Sequence, residues 1–456
     1  MSKTLFDEFS EASSKEWKQL IQYDLNGEDY NETLVWKTDE GIHVKPFYHA
    51  DEFGKRPEVS STKATEWQIC QAIFVANVEK SNLKAVNAIE RGAESILFIL
   101  PSEHIEIKDL LVNINLSKIT IHIECQFLSE AFVKQFDGIP SKENIIIHTD
   151  IIGNLTKTGN WLSNLKADHT EFDAIIKHTN SFSVNLNTYQ NAGATMVQQL
   201  SYALAHANEY LNHLDSGLTT AAKESFKVIF NVSVGTNYFF EIAKLRALRK
   251  LWSSLADANG INTECLIFVK PTRRNKTLYD YNTNMLRTTT ECMSAIFGGA
   301  NTICNAPYDA IYHKDNEFSE RIARNQLLVL KHESYFDKVN NPADGAYYIE
   351  SLTDQLAEKS LALFKDIEAN GGFLYQLKEG IIQKKIKESA AKEQEHFDKA
   401  ELILLGTNKH PNVNDKMAHE LELYPFVKKN PIKTLLEPII EKRLAEAVEQ
   451  KRLDDE

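Results

Sequence analysis

The chain has 456 residues, enough for one large barrel domain or two to three ordinary domains. It is 43% hydrophobic and 25% charged with a formal net charge of −13, a globular composition whose acidic surface argues against nucleic acid and against an anionic membrane as partners. No run of about 18 apolar residues occurs, and Met1 to Lys18 contain no apolar signal core, so neither a transmembrane helix nor a secretory leader is expected.

Residues 1–60 read as an extended N-terminal arm. Lys15 to Leu25 carry Trp17, Leu20, Ile21 and Tyr23 at helical spacing, Leu34-Val35-Trp36 is strand-like, and Gly41 to Pro46 continues as extended chain. From residue 61 the pattern changes to short apolar runs separated by helical stretches such as Thr195–Leu214 and Phe239–Leu255. The runs are Trp67–Val75, Ser95–Leu100, Ile119–Cys125, Asn144–Ile152, Phe182–Tyr189, Val228–Gly235, Cys265–Lys270 and Thr302–Pro307. Strands alternating with helices imply a parallel sheet, and eight such units imply closure into an α/β fold of (β/α)₈ type, a TIM barrel, over residues 61–425. Leu352 to Asp398 is helical, broken at Gly371-Gly372. Residues 426–456 form a C-terminal helical tail, in which Leu435, Leu436, Ile439, Ile440 and Leu444 make an apolar stripe and Glu446 onward is charged and solvated.

Two strands alternate small polar with apolar residues: Ser183, Asn185 and Asn187 against Val184 and Leu186, and Asn231, Ser233 and Gly235 against Val232 and Val234. Helices cover the outside of a parallel barrel, so the apolar set should face outward and the polar set should line the axis, either as a channel or as a self-bonded polar core. Functional groups of such barrels sit at the C-terminal strand ends, which makes Glu124, His148, Asp150, Tyr189 and Lys270 the candidates. His148 and Asp150 lie two residues apart and could form an acid–base pair, although hydrogen-bonded polar groups near a strand end are the plainer reading. His206 and His213 are seven apart, too far for a helical metal pair, and read as surface or helix-packing residues. Cys70, Cys125, Cys265, Cys292 and Cys304 form no CxxC pair and read as reduced thiols of a cytoplasmic protein rather than metal ligands. Phosphate-loop and nucleophile-elbow motifs do not occur.

Several segments resemble the methylmalonyl-CoA mutase family. Lys15 to Lys18 and Leu34 to Pro46 look like that family's N-terminal arm, which wraps the partner subunit. Ser233-Val234-Gly235-Thr236-Asn237 through Arg246 looks like its sixth strand and following helix. Arg287 to Glu291, Gly298 to Ala300, Arg321 to Asn325 and Asp344 to Thr353 follow in the family's order, so the resemblance is collinear from about residue 15 to residue 410. It implies the barrel fold and the adenosylcobalamin-dependent interconversion of (R)-methylmalonyl-CoA and succinyl-CoA.

The departures from the pattern bear on the role. Family mutases carry Arg-Pro-Trp-Thr-Ile-Arg-Gln-Tyr around the first strand. Here Gln68 stands for the threonine, Cys70 for the arginine and Ala72 for the active-site tyrosine, so the guanidinium that could grip a carboxylate is missing. At the Tyr-His pair that ends the family's fifth strand, an ungapped alignment places Asn187 and Thr188, and a two-residue gap places Tyr189 at the tyrosine; neither supplies the histidine. Asp-x-His-x-x-Gly, the cobalt-ligating signature of the flavodoxin-like cobalamin domain, does not occur, and no such domain is expected. The resemblance therefore implies a small, non-catalytic subunit, with no catalytic, cofactor-binding or metal residue of its own, paired as a heterodimer with a large catalytic subunit that holds adenosylcobalamin. Alternatives are a barrel working with a separate cobalamin protein, an unrelated lyase using His148 and Asp150, and an acyl-CoA sensor. Phe98, Leu100, His122 and Glu124 are the residues expected to plug the axis.

Overall fold

The computed structural model describes residues 8–10, 12–55, 60, 62–215, 217–428 and 432–456. Eight parallel strands run in the order β4-β3-β2-β1-β8-β7-β6-β5. They are β1 (Gln68–Phe74), β2 (Ser95–Leu100), β3 (Thr120–Cys125), β4 (Ile145–His148), β5 (Ser181–Asn185), β6 (Lys227–Val234), β7 (Cys265–Pro271) and β8 (Thr302–Cys304). All eight fall inside the runs read from sequence to within a residue at each end, because buried parallel strands are near-continuous apolar segments. The predicted fourth and fifth runs were too long. β4 stops at His148, and Asp150 is the N-cap of a helix, Ile151–Thr158. β5 stops at Asn185, and Asn187 to Asn191 form a short helix.

β4 and β5 share no ladder, so the barrel closes by two other bonds. Ser183 N donates to Thr149 O at 2.9 Å, and Asn185 N donates to the Asp150 carboxylate at 2.8 Å. Outside the sheet, one apolar shell joins β5–β8 to the helices Met196–Leu214, Tyr238–Ala258 and Tyr347–Ala369, and a second joins β1–β4 to Val78–Glu90. Val184, Leu186, Val232 and Val234 are fully buried in the first shell, as the alternation required.

The arm contains helix Ser14–Asp24, started by a Ser13–Glu16 capping box, and a two-stranded ladder of Trp36–Lys37 with His43–Val44. Its second half docks onto the barrel's helices: Ile42 joins the main core, and Glu40 accepts from Met196 N (2.7 Å) and Val197 N (2.8 Å) at a helix start. Helix Ser14–Asp24, by contrast, buries no residue.

The C-terminal segment differs from the helix expected after Pro431. Residues 432–445 are irregular and run across the rim as a strap. Leu436 N bonds Gly159 O, Ile439 N bonds Thr156 O, Lys442 N bonds Asn191 O and Leu444 N bonds Arg274 O. Leu436, Ile439 and Leu444 are buried while Leu435 and Ile440 are exposed, so the apolar stripe holds an extended chain to the loops. Only Glu446–Asp454 is helical. It is not solvated as expected: Glu449 is 1% exposed and accepts from Leu278 N and from Arg443.

Candidate functional site

A 440 Å³ cavity opens at the C-terminal ends of the strands, where a barrel of this class places its chemistry. Glu124, His148, Asp150 and Lys270, four of the five candidates, line it, with Ser183, Asn185, Asn187, Asn231 and Ser233. The polar set of β5 and β6 therefore faces inward, as the alternation predicted. Tyr189 does not line it: it is fully buried among the helices, and its hydroxyl bonds His206 Nδ1 at 3.0 Å. A tyrosine so placed cannot meet a ligand in the mouth, so the gapped alignment has no support here.

His148 and Asp150 do not form the acid–base pair; the plainer reading of hydrogen-bonded polar groups holds. His148 Nε2 lies 2.9 Å from His122 Nδ1 on the neighbouring strand, a contact set by the β3–β4 register that places Glu124 opposite His148. Asp150 points instead into the barrel wall, where it accepts from His206 Nε2 (2.9 Å), Tyr210 OH (2.7 Å), Gly153 N (2.7 Å) and Asn185 N (2.8 Å). Burial alone would raise its pKa; His206 and the hydrogen bonds from Tyr210 and Gly153 outweigh that and hold it below the ordinary carboxylate value. His206 is thus a buried packing residue, and His213 is a half-exposed one bonded to Asp173 at 2.7 Å.

Below the cavity the axis is filled. Cys70, Leu97, Ile229, Phe268 and Cys304 form an apolar plug, and the rings of His122 and His148 pack edge-on against Phe268 at 4.7 and 5.4 Å. Of the residues expected to plug the axis, His122 does so and Glu124 sits above it. Phe98 and Leu100 point the other way, into the outer shell, because the side-chain period of two gives the axis to Leu97 and Ile99. Cys70 and Ala72, at the family's arginine and tyrosine positions, face the axis, and Gln68 donates to Thr120 Oγ1 at 3.0 Å.

The electrostatics of the floor are those of a neutralised site. Burial drives both imidazoles toward neutrality, His148 down to about 4 and His122 well below its usual value, with each other's and Lys270's charge acting the same way on His122. Burial also presses on Lys270, but Glu124 at 3.4 Å and the nearby thiols outweigh it and leave the ammonium firmly protonated. Lys270 in turn holds Glu124 ionised. This set can recognise a polar ligand. It contains no unpaired group tuned for proton transfer.

Several residues of the segments that carry the resemblance are buried scaffolding. Glu241 accepts from Gly235 N (2.7 Å) and Gln190 (3.0 Å), and Lys244 bonds Ser233 O, Gln190, Gln199 and Glu241, fixing the end of β6. Arg246 reaches Glu350 (2.7 Å) and Asp344 (3.2 Å), joining two of the motifs. Lys276 pairs with Glu291 at 2.8 Å. Removing one partner of such a pair strands a buried charge. Sequence reasoning missed Arg273 and Asn191, which also line the cavity; their only signal is a position just past a strand end.

Fold and site together define a (β/α)₈ barrel with an N-terminal arm, a filled axis and a polar mouth. The profile of the methylmalonyl-CoA mutase family matches residues 103–454. The chain is 34% identical over 453 residues to the methylmalonyl-CoA mutase small subunit of Porphyromonas gingivalis, covering 92% of this chain and 73% of that protein. It is 29% identical to the methylmalonyl-CoA mutase of Rhizobium meliloti over 91% of this chain, and 27% identical to the mitochondrial methylmalonyl-CoA mutase of Homo sapiens over 87%. It spans 66% and 60% of those two proteins' lengths. The chain belongs to the methylmalonyl-CoA mutase family.

His148, at the cavity, is turned toward the buried His122, and no group of three or more His, Cys, Asp or Glu side chains that could hold a metal ion occurs among the described residues. No helix among the described residues is long and apolar enough to cross a membrane.

Proposed function

We propose that this chain is the small subunit of a heterodimeric, adenosylcobalamin-dependent methylmalonyl-CoA mutase, contributing architecture rather than catalytic, cofactor-binding or metal-binding residues. The observation that carries the reading is the filled axis. An acyl-CoA that enters through the barrel meets Phe268 and the His122–His148 pair where an open channel is needed. The match to a protein named as a small subunit supports it as well.

The division of labour follows from burial. Residues 1–60 act as the arm toward the large subunit, 61–425 as the barrel, and 426–456 as the tail that ties the loops. Helix Ser14–Asp24 exposes Trp17 (52%), Leu20 (61%) and Tyr23 (81%), apolar area that a lone chain gains nothing by presenting. The partner is a larger, cobalamin-loaded catalytic subunit, and the location is the cytoplasm, in keeping with five unpaired cysteines.

Co-expression with a full-length catalytic mutase subunit tests this. A 1:1 complex in size-exclusion chromatography with light scattering is expected, and Trp17→Glu with Tyr23→Glu should abolish it while leaving the far-UV spectrum unchanged. Turnover of methylmalonyl-CoA by this chain alone with adenosylcobalamin would sink the assignment.

A further inference from the structure

The cavity at the barrel mouth is closed to a long ligand from below, yet it is not a packed core. Its amides are oriented. A backbone N–H can only donate, so the Asn185 side-chain oxygen, which accepts from Asn187 N at 3.0 Å, and the Asn191 oxygen, which accepts from Arg273 N at 3.0 Å and Thr272 Oγ1 at 2.7 Å, are spent as acceptors. Ser233 Oγ likewise donates to the Asn187 oxygen at 2.8 Å. The NH₂ groups of these three asparagines have no hydrogen-bond partner among the described residues. Ser183 Oγ, fully buried and lining the cavity, has no partner either. Lys270 uses one contact, at 3.4 Å to Glu124, and keeps donors to spare. The Arg273 guanidinium, also lining the cavity, makes no side-chain bond among the described residues.

The carboxylates at the site do not offset this surplus of donors. Asp150 is bonded to four donors in the wall and Glu124 to Lys270, which leaves Glu441 at the rim. A pocket that presents donors and cations asks for a ligand rich in acceptors, and unpaired polar groups in a confined site are recognition elements in waiting. The cations that line it, Lys270 within, Arg273 beside the strand end and Lys157 on the helix Ile151–Thr158, suit two carboxylates better than one.

We infer that the mouth of this barrel binds a small free dicarboxylate, one carboxylate against Lys270 and the Asn185 and Asn187 amides, the other toward Arg273. The filled axis excludes the thioester-linked nucleotide that a CoA ester would have to thread. The site is a pocket for a short acid and not a residual acyl-CoA channel.

Titration calorimetry of the full chain with sodium malonate and sodium succinate, with saturation-transfer NMR in parallel, tests the inference. Binding of at least one diacid is expected, with propionate and sulfate weaker by tenfold or more. Lys270→Met should weaken the diacid at least tenfold and Arg273→Ala severalfold, while Arg273→Ala, at an exposed position, leaves the melting temperature unchanged and so controls for misfolding. The inference is overturned if no diacid binds at concentrations up to about 10 mM, if sulfate binds as well as the diacids, if both variants bind like the parent chain, or if a CoA thioester binds more tightly than the free acids.

Discussion

Asp150 is the residue on which closure of the barrel turns, and replacing it by alanine gives a quantitative test. Four donors converge on its carboxylate, two of them backbone amides on opposite sides of the β4–β5 seam. A buried donor left without an acceptor costs about 1–3 kcal/mol, but Asp150 borders the cavity, so water can re-solvate part of the gap; the net loss should be about 3–5 kcal/mol. Urea unfolding at neutral pH reads the total, and hydrogen exchange at the Gly153 and Asn185 amides reads the seam itself. The pH dependence has a definite sign. A carboxyl whose pKa is depressed by folding contributes stability above its unfolded pKa and loses it as pH falls through the folded one. The gap between the parent chain and Asp150→Ala should therefore be full at pH 7 and close on acidification below the carboxylate range. A loss under about 1 kcal/mol, or a gap that persists unchanged in acid, would refute the account of the seam.

Phe268→Ala removes the largest ring of the axial plug and should cost about 3–5 kcal/mol in urea unfolding, with the mouth cavity deepened; a neutral substitution would mean the ring is not packed. His148, pushed down to about 4, should stay neutral at pH 6 in an NMR titration. Between about pH 6.5 and 4 the unfolded chain takes up a proton that the folded chain refuses, so acidification across that window should cost about 3 kcal/mol from this residue alone. An ordinary imidazole titration near 6.5 would contradict the buried pair. Glu449→Ala leaves Arg443 buried without its carboxylate and Leu278 N without its acceptor, so about 3 kcal/mol is lost and the tail should become the first site of limited proteolysis. Cleavage elsewhere first would argue against the tail's role as a clamp.

Legibility in the sequence followed the range of the interactions involved. The eight strands, the helix Thr195–Leu214 and the break at Gly371-Gly372 were readable because each rests on apolar period or on a glycine at positive φ, both local properties. The polar lining from Ser183, Asn185, Asn231 and Ser233 was readable for the same reason. The tail was misread because the spacing of Leu436, Ile439 and Leu444 suits a helix as well as an extended chain pinned by Gly159, Thr156 and Arg274 from distant loops.

Identity as an α/β barrel with a helix-clad sheet was therefore present in the one-dimensional pattern, since the alternation of faces is a property of neighbouring residues. The partners of the chemically interesting groups were not. Proximity along the chain offered Asp150 as a possible partner of His148, whereas strand register gave His148 to His122, and Asp150 went to His206, 56 residues away. Whether the axis is open or filled likewise depended on which of Leu97 and Phe98 points inward and on what meets it from the seven other strands. Such choices are made where separate segments converge, because side-chain volume and hydrogen-bond partners are shared across the barrel and not along the backbone.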